Sequence, residues 1–523
     1  MSFPGQKNDV RLLNESFGSA QREYVASLDP MDQHNRFLRR RHGLGGSGNL
    51  HIDTYALWWV RETIRHMVRS DPLIRQMLDR LTDFLYGGDY GSDLAFHLEP
   101  NTGEIELDKE LDERIKLWSN DKFACDYYGE RTLGGMVRQA GYQTFQDGEI
   151  FALLTGVGRL QLIEADCCQS PESVNVEEGE VNGLKFGKDG QVKGYWFTKG
   201  VPSGPWTNYR ESLQYYERTF RPGLQQVLHC YSTTRVSQNR GYGLMVPVII
   251  RAGMLDDLNF ATIVKAQTAA NIVGVTKSGP RSPMGSPILG TKTAGTDPDG
   301  DSETTFKSKP GSWHHLPEGK DFVAFAPQIP NEQHIEHCKS IIKEIAAAIH
   351  LPYILAMLDA NETNLSAWRG SVDAARYTWR RLRGEHEVQM VRPVYVWKLM
   401  QWLPSMGEAA MRLYRKGLYT RARVVWRGWG YIDPKKDVEA DNKTVDGLLD
   451  SRRGVCEKLG RDEDRVREQT LKDNEQWILE ALDRAEQIKT KYPNSDVTWR
   501  DIVRLGPGAG NSAPGELTAN VKL

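Results

Sequence analysis

A chain of 523 residues is far longer than one hydrophobic core requires, so we expect roughly three or four structural units. A hydrophobic fraction of 39% and a charged fraction of 26% exclude an intrinsically disordered chain. The 67 basic residues nearly balance the 69 acidic ones, which excludes a global positive field that would draw the protein onto nucleic acid or an anionic membrane.

The sequence shows no sign of export or membrane insertion. Its opening residues lack an apolar segment, and the longest uncharged apolar stretch, at 244–250, is too short to span a bilayer. We therefore expect a protein of the host cytoplasm with no membrane contact. The cysteines show no paired ligand spacing, so we expect reduced thiols. They are Cys125, Cys167, Cys168, Cys230, Cys338 and Cys456.

The first half of the chain predicts an arm, a helical pair and a β-rich module. Residues 1–53 are polar, with a basic cluster and a glycine-rich stretch typical of a flexible arm. Helical spacing from 54 to 85 is interrupted at Asp71-Pro72, which predicts a second helix with Asp71 as its N-cap. Residues 141–236 contain short β-rich runs, and 181–186 and 192–197 flank a Gly-rich connection suited to a β-hairpin.

Two long helices and a segment between them follow. Residues 244–273 and 331–350 both show helical spacing, and the second has a short heptad seam that indicates lateral packing. The segment 278–310 is dense in Gly, Pro, Ser, Thr and Asp, so we expect an excursion with little internal core.

The rest of the chain predicts a polar loop at 359–366, a third amphipathic helix and a charged helical end. The third helix carries Trp368, Val372, Ala375, Trp379 and Leu382 on its apolar side. Charged helices are expected from 438 to about 491, and a loose tail from 506 onward.

The chemical motifs give no support to an enzyme. Gly43, Gly45 and Gly48 satisfy the dinucleotide pattern G-x-G-x-x-G, but a basic stretch precedes them instead of a buried strand, which favours a hinge over a nucleotide site. No phosphate-binding loop, nucleophile elbow or H-E-x-x-H motif is present. We therefore expect no catalytic residues and no cofactor.

One cluster of histidine and cysteine residues could indicate a metal site. His334, His337 and Cys338 could place ligands near one helical face, but Cys338 falls on the apolar seam and no fourth ligand is suggested nearby. We therefore expect no metal.

One helical face is rich in arginine. Helical spacing directs Arg369, Arg376, Arg380 and Arg383 toward one strip that could face phosphates, while Asp373 interrupts the strip. A solvated or intersubunit face remains an equal alternative to DNA contact.

Eight short sequence blocks follow one another along the chain: Asp147-Gly-Glu149, 160–166, Gly194-Tyr-Trp196, Val227-Leu-His229, Gln238-Asn-Arg240-Gly241, 345–353, 364–369 and Ile432-Asp-Pro434-Lys435. In this order, and over about residues 54 to 475, the chain resembles the lambda-like phage portal family. Each block alone is weakly specific, whereas the ordered set is not. The chain departs from the family pattern at His350, where a glycine is usual, and at Leu365, where an aromatic residue is common.

The resemblance implies an α+β portal fold with wing, stem, clip and crown regions, assembled as a dodecameric ring. The implied regions are a flexible N-terminal arm (1–53), the wing (54–240), the first stem helix (241–277), the clip (278–330), the second stem helix (331–352), a tunnel loop region (353–370), a wing return (371–435), a C-terminal helical crown or its equivalent (436–505) and a disordered tail (506–523).

The resemblance also implies function and partners. It indicates a ring-shaped channel at one capsid vertex of the virion, used for DNA packaging and ejection and as a nucleator of head assembly. The implied partners are further copies of the chain, the large terminase subunit, neck or head-tail adaptor proteins, the major capsid or scaffolding protein, and double-stranded DNA bound without sequence preference. A different head-tail junction ring, such as an adaptor, and a nucleotide-binding enzyme are the alternatives.

Residues are assigned to the implied regions as expectations. The tunnel loop is expected to use Asp359, Asn361, Glu362, Thr363, Asn364 and Ser366. The stem is expected to have a polar face at Glu336, Lys339 and Lys343, and the clip to make contacts through Lys292, Lys307, Lys309 and Trp313.

Overall fold

The computed structural model describes residues 54–87, 96–171, 179–199, 213–221, 224–236, 238–271, 274–278, 320–324, 332–359, 364–417, 422–461, 463–493 and 497–502. The arm, most of the expected clip and the C-terminal tail lie outside these ranges. The helices are α1 (Thr54–Ser70), α2 (Pro72–Tyr86), α3 (Ile105–Asn120), α4 (Lys122–Cys125), α5 (Leu133–Asp147), α6 (Val248–Asn271), α7 (Glu332–Ala348), α8 (Tyr353–Met357), α9 (Leu365–His386), α10 (Arg392–Trp402), α11 (Glu408–Lys416), α12 (Pro434–Asp446), α13 (Arg452–Lys458), α14 (Glu463–Lys491) and α15 (Trp499–Ile502).

The strands form small sheets whose neighbours are antiparallel, and the mixed helix and strand architecture expected from the sequence is confirmed. The sheet orders are β1-β13, β10-β2-β3, β4-β5-β6-β7, β8-β9 and β11-β12. The strands are β1 (Phe96–Pro100), β2 (Glu149–Leu154), β3 (Leu160–Glu164), β4 (Glu180–Val181), β5 (Leu184–Phe186), β6 (Val192–Thr198), β7 (Leu213–Glu217), β8 (Thr219–Arg221), β9 (Leu224–Gln225), β10 (Val227–Tyr231), β11 (Gly274–Ser278), β12 (Lys320–Ala324) and β13 (Ala422–Trp426).

Backbone contacts divide the chain into two compact units. The first comprises Met1–Ser92 and Glu113–Thr420, and the second comprises Asp93–Asp112 and Arg421–Leu523. The second unit takes in part of the region 54–240, because β1 pairs with β13, more than 300 residues away, over Phe96↔Trp426 to Pro100↔Ala422.

The predicted helical pair at the start of the first unit is confirmed. Asp71 caps α2, since its carboxylate accepts hydrogen bonds from the amides of Leu73 (2.8 Å) and Ile74 (3.3 Å). Helix α2 buries one face against α5 and α9. Tyr86 packs so closely on α5 that a Cβ at Gly141 would lie 2.2 Å from its ring, so only glycine fits there.

The β-rich module has its own apolar core. The predicted hairpin is present as β5 and β6, with Leu184 opposite Tyr195. The core is built on Phe151, Tyr195, Phe197 and Val227, all buried. The module was expected to start at about residue 141, but 141–147 still belong to α5. The helix ends at Gly148, which takes a left-handed conformation (φ 96°), and the first strand starts at Glu149.

Both predicted long helices are present, and the chain between them returns as a strand pair. α6 ends at Asn271 rather than continuing to 277, because 274–278 form β11, which pairs with β12 from Gly274↔Ala324 to Ser278↔Lys320. The segment between β11 and β12 lies outside the described residues, and so do Lys292, Lys307, Lys309 and Trp313.

The region expected to be a tunnel loop contains more helix than the sequence suggests. Tyr353–Met357 form α8, and Asn364 caps α9 by accepting a hydrogen bond from the Ala367 amide (2.8 Å). Ser366 therefore lies in the first turn of α9 and not in a loop. Asn361, Glu362 and Thr363 lie outside the described residues.

His350 occupies a left-handed backbone conformation (φ 58°), which glycine adopts without steric cost. It is the position at which the sequence departs from the glycine that the family resemblance implies, and its backbone conformation is one that glycine favours. We expect His350→Gly to raise the free energy of unfolding by up to about 1 kcal/mol, because the strain removed exceeds the entropy that glycine adds. His350→Val should lower it by about 1 kcal/mol or more. Urea denaturation of both variants measures the difference, and a destabilising His350→Gly would contradict this account.

A buried lysine lies among three tryptophans in the first unit. Lys398 is 6% exposed, and its Nζ lies 4.6 Å from the ring centroid of Trp118 and 5.2 Å from those of Trp397 and Trp402. Burial lowers the pKa of Lys398 to about 8. The rings stabilise the ammonium by cation-π contact and join α3 to α10.

The second unit combines a two-stranded sheet with charged helices. β1 and β13 are crossed by ion pairs from α13, where Arg453 contacts Glu99 at 3.1 Å. α14 is the longest helix in the described part of the unit and buries only Ala481 and Ala485. The predicted charged helices are thus present, starting at Pro434 with α12 rather than at 438.

Candidate functional site

Glu149 is the centre of a fully buried group of charges. Its carboxylate accepts hydrogen bonds from Arg61 Nη2 (2.6 Å), Arg240 Nε (2.6 Å) and the backbone amide of Gly241 (2.9 Å), and it lies 2.9 Å from His229 Nε2. Burial alone would raise the pKa of Glu149, but Arg240, Arg61 and His229 hold it well below its usual range. Glu149 therefore remains a carboxylate with every lone pair directed at a donor.

Two further carboxylates extend this group toward α1. Arg65 donates to both oxygens of Asp147 (3.0 and 2.9 Å) and also contacts Asp166. Arg61 donates to Asp166 Oδ1 (3.2 Å) and to the backbone carbonyl of Asp147 (2.9 Å). Burial lowers the pKa of His229 despite the adjacent carboxylate, so the histidine is neutral and the charges balance. We call Arg61, Arg65, Asp147, Glu149, Asp166, His229 and Arg240 the buried ionic network.

The network joins elements that are distant in sequence. It connects α1, the end of α5, β2, the turn after β3, β10 and the segment before α6. Arg240 also donates to the backbone carbonyls of Cys168 (3.3 Å), Ala165 (3.2 Å) and Asn182. Four of the sequence blocks described above supply Asp147, Glu149, Asp166, His229 and Arg240, so the network brings residues of separate blocks together.

Helices α6 and α7 run antiparallel. Arg251 Nε near the start of α6 lies 2.8 Å from Glu344 Oε2 near the end of α7. Farther along, Thr262 Oγ1 lies 3.4 Å from His334 Nδ1, and Cys338 Sγ lies 3.6 Å from Asn259 Oδ1. His334 is thereby held by neighbours on both ring nitrogens, since its Nε2 contacts Cys338 at 3.6 Å.

Several large apolar side chains are exposed on α6 beyond Leu255 and on the neighbouring α7. Phe260 is 69% exposed, Ile263 55% and Val264 40%, and Ile335 on α7 is 47% exposed. These four residues form the exposed apolar surface of the helix pair. The residues predicted as a polar stem face are also at the surface of α7: Glu336 and Lys343 are exposed, and Lys339 is half-buried with its Nζ 3.3 Å from Glu336.

The arginine face of α9 is only partly as predicted. Arg369 and Arg380 are exposed, and Arg376 is half-buried and pairs with Asp373 at 3.0 Å. Arg383 does not share this exposed face: it is 6% exposed, and its guanidinium donates to the backbone carbonyls of Leu85 and Phe84 at the end of α2. The prediction that all four arginines form one accessible strip is therefore wrong for Arg383, because the helix turns that residue into the contact with α2.

The segment before α9 is anchored by α2. Arg80 Nη1 donates to the carbonyl of Leu355 (2.8 Å), and Gln76 Nε2 donates to that of Ala356 (3.2 Å). Leu358 then takes a left-handed conformation (φ 53°) with its side chain 67% exposed. Of the expected loop residues, Asp359 is half-buried and Asn364 is exposed, and residues 360–363 between them lie outside the described residues.

The described residues contain no group of three or more His, Cys, Asp or Glu side chains placed to hold a metal ion. The cysteines are all free, and those of the β-rich module are buried. Gly43, Gly45 and Gly48 lie outside the described residues. Among the helices that the structure describes, none is long and apolar enough to cross a bilayer.

Comparison with known protein sequences shows the family to which this chain belongs. Residues 35–383 match the sequence model of the phage portal proteins of the lambda family. This chain belongs to that family. A probable portal protein of Halomonas phage phiHAP-1 is 21% identical over 393 residues, which is 70% of this chain and 70% of the relative.

Two chains in solved structures match this chain at low structural similarity. A chain from the neck of an empty GTA particle computed with C6 symmetry has a TM-score of 0.41 at 15% identity, covering 74% of this chain and 90% of its own. A chain from the neck of a native GTA particle computed with C12 symmetry has a TM-score of 0.37 at 14% identity, covering 82% and 98%. The lambda-family portal assignment accordingly rests on the sequence match.

Proposed function

We propose that this portal-family protein forms a dodecameric ring at one capsid vertex, through which double-stranded DNA enters during packaging and leaves during ejection. In this proposal α6 and α7 form the stem, β11 and β12 start the clip, the network-containing part forms the wing, and the C-terminal helices form a crown or its equivalent. The large terminase subunit and later the neck proteins bind at the clip, the capsid or scaffolding protein contacts the wing, and assembly takes place in the host cytoplasm.

The exposed apolar surface of the helix pair carries the proposal. Large apolar side chains that lie together on one helical face are normally buried, yet Phe260, Ile263 and Val264 are exposed in the single chain. Lateral packing of this face against a neighbouring copy would bury these side chains. A ring satisfies this requirement because each copy presents two different surfaces to its two neighbours.

The proposal assigns no catalysis to this chain. Near-neutral net charge limits the number of phosphates that the channel wall neutralises, which keeps DNA binding weak enough for sliding. Hydrolysis of ATP then belongs to the terminase partner. ATP hydrolysis by the purified chain above the level of a contaminant would contradict this division.

Ring assembly is tested on the exposed apolar surface. We expect Phe260→Asp combined with Ile263→Asp to abolish rings and leave a folded monomer, because two charges cannot be buried unpaired between subunits. Val157→Asp, at an exposed apolar residue outside both long helices, is the control and should still form rings. Sedimentation velocity and negative-stain images measure the outcome. Rings from the double variant, or a wild-type monomer at every concentration, would refute the proposal.

DNA contact is tested on α9. Arg369 and Arg380 are chosen because they are exposed, whereas Arg376 pairs with Asp373 and Arg383 is buried. Replacing both with glutamate should lower the genome content of assembled particles several-fold while rings still form, because the face would then repel phosphates. Arg159→Glu, an exposed arginine elsewhere, is the control. Failed rings would instead place this face at a subunit contact.

A further inference from the structure

A cleft of about 610 Å³ lies where the π-helical turn Glu387–Val391, which links α9 to α10, meets the ends of β6 and β8. Its lining includes three cationic side chains, Lys193, Arg218 and Arg392, and no carboxylate. This volume falls in the usual range for ligand sites, roughly 300–1,000 Å³.

The cations are only partly neutralised within the chain. Lys193 lies 3.1 Å from Asp189, and Arg392 lies 2.6 Å from Glu387. Arg218 forms no ion pair with a carboxylate among the described residues, and its charge acts on Tyr195, Tyr231 and neutral His229. The cleft therefore carries an excess of positive charge at Arg218.

The walls of the cleft are held firmly. The Arg218 amide donates to the Lys193 carbonyl (2.7 Å), and the Arg218 carbonyl accepts from the Gln226 amide (2.8 Å). On the opposite wall, Gln389 is bonded to both the amide (2.9 Å) and the carbonyl (2.8 Å) of Tyr231. The extra residue of a π-helical turn re-aims side chains, and here Val388 is left 67% exposed at the cleft.

Apart from the cations, the lining combines apolar residues with three polar ones, Gln191, Thr219 and Gln225. Val192 and Leu224 are half-buried and, with Val388, line the cleft beside the cations. A phosphodiester backbone would leave this apolar surface wet, whereas a peptide that carries a carboxylate beside apolar side chains would cover it and meet Arg218. We propose that the cleft is a docking site for a segment of a partner protein with an acidic residue flanked by apolar residues.

The proposal is tested with short peptides on the full-length protein. The probe is N-acetyl-Leu-Glu-Leu-amide, its matched partner is N-acetyl-Leu-Gln-Leu-amide, and saturation-transfer NMR titrations give the dissociation constants. We expect the glutamate peptide to bind about tenfold more tightly than the glutamine peptide. Arg218→Gln should bring the ratio close to one, and Arg218→Lys should restore part of it.

Two controls separate this site from general charge attraction. Arg159→Gln, an exposed arginine outside the cleft, should leave the ratio unchanged, and Val388→Asn should weaken both peptides equally. No binding of either peptide, equal binding of both, or a ratio that survives Arg218→Gln would overturn the proposal. Displacement of the peptide by inorganic phosphate or a short DNA duplex, with Val388→Asn without effect, would also overturn it in favour of a phosphate site. The cleft includes none of the residues of the exposed apolar surface. The peptide titration and the test of ring assembly therefore probe different residues.

Discussion

Replacing Glu149 with glutamine is expected to lower the free energy of unfolding by about 3–5 kcal/mol. The side chain is fully buried, and its charge compensates Arg61 and Arg240, which are 4% and 2% exposed. Removing the carboxylate leaves two guanidinium groups without their counter-charge in a site that water does not reach. Urea denaturation followed by circular dichroism at neutral pH gives the difference.

Glu217→Gln is the matched control, because Glu217 is an exposed glutamate in the same β-rich module. It should change the free energy of unfolding by no more than about 0.5 kcal/mol. Similar values for the two variants would mean that the buried ionic network does not stabilise this unit.

The same carboxylate makes a defined contribution to the pH dependence of stability. The pKa of Glu149 is held well below its ordinary value in the folded state, so its ionisation stabilises the fold fully above the unfolded value of about 4.3. That contribution is lost as the pH falls below this value. We therefore expect the gap between wild type and Glu149→Gln to be constant above about pH 5 and to narrow as the pH falls below about 4.3. A gap that stays constant below that pH would contradict the depressed pKa.

Trp379→Ala is expected to cost about 3–5 kcal/mol of unfolding free energy. Trp379 is 0% exposed, stacks on Phe84 with ring centroids 5.1 Å apart, and donates from Nε1 to the His350 carbonyl at 3.2 Å. Its removal leaves a cavity between α9 and α2 and a buried carbonyl without a donor. Near-ultraviolet circular dichroism during thermal unfolding reports on this unit.

Tyr377→Ala on the same helix is the control. Tyr377 is 72% exposed, so its loss should cost well under about 1 kcal/mol. Because α9 also carries the proposed DNA-contacting arginines, Trp379→Ala should additionally reduce genome retention if it shifts the helix. Equal stability of the two variants would show that α9 is not fixed by this contact.

Local patterns predicted much of the secondary structure. Asp71-Pro72 marked the start of α2, the Gly-rich connection marked the β5-β6 hairpin, and apolar spacing marked α6, α7 and α9. These signals are local because caps, turns and one-sided burial depend on neighbours within a few residues. The ordered blocks also identified the family, which the match over 35–383 confirmed.

Local sequence patterns could not predict the contacts between residues that are far apart in the chain. The pairing of β1 with β13 joins strands more than 300 residues apart, and nothing in either five-residue run specifies its partner. Likewise, Arg383 fits the spacing of an exposed basic strip, yet α2 covers that part of α9. Helical spacing gives the direction of a side chain around the axis but not what lies there.

The sequence by itself determined the helices, the hairpin, the absence of recognisable catalytic motifs and the portal family, since each depends on local residue patterns or on ordered blocks. Only the tertiary structure decided that Glu149, Asp166 and Arg240 meet in one buried network, that α6 leaves an apolar surface exposed, and that Arg218 faces a cleft without a carboxylate. Those properties arise from burial, and burial is set by elements that are far apart in the chain.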